Sequence, residues 1–189
     1  MFRSTLLTVA LLFSASAGAQ GFDYSYVQLG YGTIDFDDIN VDGDGFGLSG
    51  SYAINSDWHI FAGYQGASLD FDIDVTSFGT GVGYNTELSP VVDMFARLSY
   101  QYVEVDAGLF GSVDDNGIGF SVGMRFAASD QVEIDAGISY VDLSDGGDET
   151  AFSLGALYNF TDAFSAGLGG SWSDDVSSYT LVGRIYFGK

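Results

Sequence analysis

Large apolar side chains recur at every second position through most of this chain, and the positions between them are small or polar. In NGIGFSVGMRFAASDQVEIDAGISY, residues 116 to 140, Ile118, Phe120, Val122, Met124 and Phe126 form one series and Gly119, Ser121, Gly123 and Arg125 the other. After a short turn, Val132, Ile134, Ala136, Ile138 and Tyr140 alternate with Glu133, Asp135, Gly137 and Ser139. A period of two marks β-strands, whose successive side chains point to opposite faces. Ten such runs are found, over about 24–34, 45–54, 58–66, 75–86, 93–105, 116–126, 132–142, 150–160, 164–173 and 177–187. Most are about twice the 5 or 6 residues of a typical globular strand and match a tilted strand that crosses a membrane.

The connections alternate as well. NSD at 55–57, ELSPVV at 87–92, ASDQ at 128–131 and TD at 161–162 are short, whereas DFDDINVDGDG, GASLDFDID, DAGLFGSVDDN and SDGGDE are longer and rich in Asp and Gly. Short turns at one end and longer polar loops at the other, joined by an even number of strands, predict a transmembrane antiparallel up-and-down β-barrel of ten strands, with eight as the alternative. The hairpins repeat loosely, without the sharp motif that a solenoid or propeller needs.

The two faces differ in kind. One carries Val27, Leu29, Tyr31, Phe46, Leu48, Tyr52, Leu98, Tyr100, Leu154, Tyr158, Leu168, Leu181 and Ile185, with aromatics gathered near strand ends, as in the girdles at membrane interfaces. The other carries mostly Gly, Ser, Gln and Asn, with Arg97, Arg125 and Arg184. Such a face suits the lumen of a small barrel, with lipid on the outside. A soluble sandwich or lipocalin-like barrel would turn the large side chains inward, and alternation alone does not say which side is wet.

Composition narrows the choice. The 189 residues include 27 Gly, 12 Tyr and 16 Phe but one Pro and no Cys, so stability has to come from packing and hydrogen bonds. The formal net charge of −21 argues against nucleic acid as a partner and favours cations. MFRSTLLTVALLFSASAGAQ reads as a secretory signal, with Arg3, an apolar core from Leu6 to Phe13 and a small-residue site at Ala17-Gly18-Ala19. The expected organisation is a signal peptide over 1–19, cleaved on export, and one barrel domain over 20–189, in the outer membrane of a Gram-negative bacterium.

With strands and faces assigned, the chain resembles the small outer-membrane β-barrel superfamily of OmpA-like and OmpX-like proteins. YSYVQLGYG, VDGDGFGLSGSYAI, VGYNTELSP and ARLSYQY are similar to a proteobacterial group some of whose members are labelled quorum factor or immune elicitor. The ending YTLVGRIYFGK resembles the C-terminal signal read by the outer-membrane assembly machinery, with two residues added after Phe187. The resemblance implies the barrel fold and says little of activity, because function does not travel with fold.

Candidate chemistry lies in two places. A turn centred near Ser129 would set Arg125 opposite Glu133 on the inward face with Asp135 one step up, and Arg97 and Arg184 share that face; the expected structure is a lumen charge network. A narrow, anion-attracting pore is the alternative. In DINVDGDGFG, Asp38, Asn40, Asp42 and Asp44 alternate like the first half of a calcium loop, although Ser49 stands where a bidentate Glu belongs. Ca²⁺ or another divalent cation in this first loop is the only cofactor considered; a hydrated acidic loop is the plainer reading. Catalysis is not expected, since the single histidine, His59, lies beside a predicted short turn and no nucleophile set is evident. The chain is thus expected to be monomeric and to meet lipid and lipopolysaccharide. Its role would be structural or surface-interacting through acidic extracellular loops, with a narrow porin-like channel or, less simply, a barrel enzyme as alternatives.

Overall fold

The computed structural model describes residues 16–17, 22–36 and 41–187. Ten antiparallel strands close into one barrel in which every strand pairs with its chain neighbours and the last pairs with the first. They are β1 Tyr26–Phe36, β2 Val41–Ala53, β3 Trp58–Leu69, β4 Ile73–Ser89 and β5 Val92–Asp106. The second half comprises β6 Ser112–Ala127, β7 Val132–Leu143, β8 Gly147–Thr161, β9 Phe164–Trp172 and β10 Val176–Tyr186. The closing seam runs from Tyr186 opposite Tyr26 to Val176 opposite Phe36. Closure removes the sheet edge and gives the wall's backbone groups partners on adjoining strands, as non-helical backbone in lipid requires.

Seven of the ten strands are longer than the alternation suggested: β4 has 17 residues and β6 has 16. The Asp- and Gly-rich stretches expected to be loops are largely strand, with 41–45, 73–74, 112–116 and 147–149 continuing the ladders. What remains at two of those connections is a single 3₁₀ turn, at Asp70–Asp72 and Gly108–Phe110. Antiparallel pairing needs extended backbone and not apolar side chains, so an acidic hairpin can extend the wall as well as an apolar one.

Along β1, β5 and β7 the two faces exchange character. On β1 the outward side chains run Val27, Leu29, Tyr31 and then Thr33 and Asp35, while the inward ones run Tyr26, Gln28, Gly30, Gly32 and then Ile34 and Phe36. On β5 Met94, Leu98 and Tyr100 give way outside to Glu104 and Asp106, and Arg97, Ser99 and Gln101 give way inside to Val103 and Val105. On β7 Ile138 and Tyr140 are followed by Asp142 outside, and Ser139 by Val141 and Leu143 inside. Phe36, Val41, Leu69, Val75 and Val103 meet in a buried apolar cluster at this height. The lower wall is therefore inside-out and the upper wall is built like a soluble protein. The level where outward Tyr and Phe yield to Asp and Glu is where a hydrocarbon environment gives way to water.

The apolar belt agrees in length. Met94 to Tyr102 on β5 is close to the roughly 9 to 11 residues a tilted transmembrane strand needs. Aromatic side chains mark both borders. At the lower one Trp58 and Tyr84 pack edge to face at 5.2 Å and Phe160 stacks on Phe164 at 5.8 Å. At the upper one the Tyr31 hydroxyl donates to Asp44 Oδ2 at 2.8 Å, so the ring lies in the apolar belt and its polar tip reaches the acidic zone.

Candidate functional site

The lower mouth, at the end with the short turns 54–57, 90–91, 128–131 and 162–163, is closed by the chain's own N-terminal segment. Phe22 to Ser25 precede β1 and fold into the barrel, so Tyr24 begins no strand, contrary to the expected span of 24–34. Tyr24 is buried, its hydroxyl donates to Asp93 Oδ2 at 2.9 Å, and its ring stacks on His59 at 4.5 Å. Ser25 fixes the segment to the rim: its hydroxyl accepts the Ala53 N–H at 3.2 Å and its carbonyl the Phe187 N–H at 3.1 Å. Tyr26 and Tyr186 complete a buried aromatic cluster with Tyr24.

Above this plug lie the three arginines placed in the lumen by the alternation. Arg125 and Arg184 are fully buried and Arg97 nearly so. Each lies against two aromatic rings. The Arg125 guanidinium is 4.6 Å from the Phe22 centroid and 4.5 Å from that of Tyr24. Arg97 is 5.1 Å from Phe61 and 4.8 Å from Phe95, and Arg184 is 4.2 Å from Tyr26 and 5.9 Å from Tyr186. Ring faces carry negative charge density, which tempers the cost of burying a cation.

Hydrogen bonds supply the rest. Arg125 Nε donates to Glu133 Oε1 at 2.9 Å in a fully buried ion pair. Arg97 Nε donates to His59 Nε2 at 3.2 Å, while His59 Nδ1 contacts Asn85 Oδ1 at 3.1 Å. Arg184 grips Gln28 Oε1 through both Nε, at 2.8 Å, and Nη2.

The register of the β6–β7 hairpin differs from expectation. Arg125 faces Asp135, and Glu133 faces Ala127. The turn is centred one residue later than Ser129, which moves the pairing by two positions. Both positions keep the same face, so Arg125 reaches diagonally to Glu133. All five residues expected in the lumen, Arg97, Arg125, Glu133, Asp135 and Arg184, do lie there, buried. Aromatic rings and neutral groups join these charges in holding the three arginines. Phe22, Tyr24, Phe61, Phe95 and Gln28 complete the network, and only their position on the inward alternation could have pointed to them.

At mid-height the lumen holds a cavity of about 120 Å³, lined by glycines of β1, β2 and β9 together with Gln65, Ser77, Ser153 and Thr180. A second cavity of about 50 Å³ beside Arg97 shares Asp135 and Ser153 with the first. Among the described residues the buried Ser77 Oγ and Ser139 Oγ meet no hydrogen-bonding group, and the cavities beside them are large enough for ordered water.

Hydrogen bonds tie part of the acidic upper wall, the collar, together. Asp115 is buried near its top, accepting the Asn116 N–H at 2.7 Å on Oδ1 and the N–H groups of Asp145 and Gly146 at 2.9 and 2.6 Å on Oδ2. Burial opposes its charge, yet these backbone donors outweigh it and hold the carboxyl below its ordinary value. Of the candidate calcium ligands, Asp38 and Asn40 lie outside the described residues. Asp42 and Asp44 belong to β2, not to a loop, and point outward, with Asp42 across from Asp35. Among the described residues no three His, Asp or Glu side chains converge to hold a metal.

Three comparisons bear on kinship. The barrel resembles an outer-membrane channel of Pseudomonas putida F1 with a TM-score of 0.58, at 9% identity over 87% of this chain and 98% of that one. It resembles the KdgM porin with a TM-score of 0.52, at 9% identity over 86% and 99% of the two chains. Neisserial surface protein A is 21% identical over 89% of this chain and 100% of that one, with a TM-score of 0.43. No curated protein matches the chain in sequence. These matches leave the narrower group labelled quorum factor or immune elicitor unsupported. Residues 5–160 match the family described as outer membrane protein beta-barrel domain, and with its closed ten-stranded wall the chain belongs to that family of outer-membrane barrels.

Proposed function

We propose that this barrel is a surface protein of the outer membrane that acts through its acidic extracellular collar and does not conduct solutes, with residues 1–19 serving as a cleaved export signal. The observation that carries the reading is the plug at the lower mouth, with an apolar cluster on one side of the upper lumen. Phe22 and Tyr24 pack against Arg125 and His59 below, and Phe36, Val41, Leu69, Val75 and Val103 pack together above. The collar's outward carboxylates, among them Asp35, Asp42, Asp44, Asp74 and Asp142, face water beyond the apolar belt. An anionic collar of this kind approaches lipopolysaccharide phosphates with divalent cations between them, held loosely and not in a calcium loop.

A narrow channel is the second reading, favoured by the cavities at mid-height. Planar-bilayer recording on the purified barrel separates the two. The surface role predicts no stepwise current; discrete conductance steps from the parent protein contradict it.

A further inference from the structure

Among the described residues the collar turns most of its large apolar side chains inward, and two adjoining turns depart from this. Phe71 is 81% exposed, Leu109 is fully exposed at 104% and Phe110 is 96% exposed. Phe71 lies in the turn between β3 and β4, and Leu109 and Phe110 in the turn between β5 and β6. The two tips adjoin, since a Cβ placed on Gly108 would be 3.9 Å from the Asp72 carbonyl oxygen.

Neither tip is a loose loop. The second is tied by Phe110 N–H to the Ala107 carbonyl at 3.1 Å, Gly111 N–H to the Gly108 carbonyl at 3.1 Å and Gly108 N–H to Asp106 Oδ1 at 2.9 Å. In the first, Phe71 and Asp72 have φ of 66° and 56°, a left-handed conformation unfavourable for non-glycine residues. A chain that needed only to turn here has easier ways to do so. Holding three large apolar side chains together in water is characteristic of a contact surface.

Charge selects the partner. Asp70, Asp72 and Asp74 flank Phe71, and Asp106 and Asp114 flank the other tip. The chain has five basic residues; Arg97, Arg125 and Arg184 are in the lumen, and Arg3 and Lys189 are at the two ends of the sequence. The described surface of the collar therefore offers acid without base. Without bridging cations, a second copy would bring the same carboxylates face to face, and an anionic bilayer would be repelled. Building on the surface role above, we propose that Phe71, Leu109 and Phe110 dock into an apolar pocket rimmed by Lys or Arg on a partner protein, with the flanking aspartates meeting the rim. The apolar tips supply the anchors, and the carboxylates steer approach and orientation.

A labelled amphipathic helical peptide of Leu and Lys serves as the probe. It is titrated against the barrel in zwitterionic nanodiscs, with empty discs subtracted and a scrambled peptide of the same composition as reference. Phe71→Ser/Leu109→Ser/Phe110→Ser should weaken binding roughly ten-fold or more, the loss expected for truncating hot-spot anchors, while the scrambled peptide binds weakly to the parent. The exposed tips support no core, and an unchanged gel shift on heating verifies that this variant is folded. Equal binding by parent and variant overturns the proposal. If Asp70→Asn/Asp72→Asn nevertheless weakens the peptide, the acidic collar remains an interaction surface and only the apolar anchors are refuted; if neither variant matters, the surface role fails with them. Flotation of the parent, but not the Ser variant, with phosphatidylcholine vesicles would identify a lipid surface and also overturn the proposal.

Discussion

Replacing Glu133 with Ala should be among the most damaging single changes in this barrel. Arg125 and Glu133 have 0% and 1% side-chain exposure, and the Nε to Oε1 contact is 2.9 Å. Removing one member of a buried ion pair strands the other charge at a cost of about 3–5 kcal/mol. Two features soften the loss. The Phe22 and Tyr24 rings remain against the guanidinium, each worth about 0.5–2 kcal/mol, and Asp135 stands opposite Arg125 in the register. Glu133→Ala is therefore expected at the lower end, about 3 kcal/mol. The double variant Arg125→Met/Glu133→Leu removes both charges while keeping most of the volume and should return to within about 1 kcal/mol of the parent, because buried pairs exchange for apolar groups at little net cost. Urea unfolding in detergent micelles, followed by the mobility difference between folded and unfolded barrel on gels, measures all three proteins. A Glu133→Ala loss below about 1 kcal/mol, or a double variant no better than the single, would refute the reasoning on buried charge.

Two further outcomes test the wall and the collar. Gly167 and Gly169 share the inward face of β9, but a Cβ on Gly167 would be 2.0 Å from the Ala156 carbonyl oxygen and one on Gly169 would have 3.6 Å to that of Leu154. Gly167→Ala should thus cost about 1–3 kcal/mol and Gly169→Ala much less, read from urea midpoints. The depressed Asp115 carboxyl contributes stability that is present above the ordinary Asp value near pH 4 and lost as pH falls through its lower folded value. The gap in unfolding midpoint between parent and Asp115→Asn should accordingly be full at neutral pH and narrow below about pH 4; a gap independent of pH would show that the charge plays no part.

The lower wall was legible in the sequence because lipid imposes one rule on every outward position. Leu29, Phe46, Leu98, Phe120 and Leu181 mark that face without knowledge of pairing. The collar was hidden by the same rule. Runs were ended where outward Tyr31 or Tyr140 yielded to Asp35 or Asp142, yet inward Ile34, Phe36, Val41 and Leu143 continued the alternation with its sign reversed. Which residues of the lumen would meet was less accessible, since it depends on register. A one-residue error in the β6–β7 turn left both carboxylates on the correct face and still exchanged which of them stands opposite Arg125. The plug gave no distinct signal: Phe22, Tyr24 and Tyr26 alternate as a strand would, and only tertiary packing separates Tyr24, which folds inward, from Tyr26, which joins the ladder. The exposed tips lie within GASLDFDID and DAGLFGSVDDN, which read as connections, but composition alone does not say whether Phe71, Leu109 and Phe110 turn inward or out.

The change of the outer wall from apolar to acidic along strands such as β1, β5 and β7 is the claim on which the rest depends, and the absence of cysteine from the chain allows a direct test. Single substitutions Leu29→Cys, Leu98→Cys and Leu181→Cys in the belt, and Asp35→Cys, Glu104→Cys and Asp142→Cys in the collar, are exposed on intact cells to a membrane-impermeant maleimide. The collar positions should react readily and the belt positions should stay unlabelled in the native membrane. Labelling of Leu29→Cys, Leu98→Cys and Leu181→Cys as fast as Asp35→Cys would mean that water bathes the whole outer wall, and the placement of lipid below and solvent above would be wrong.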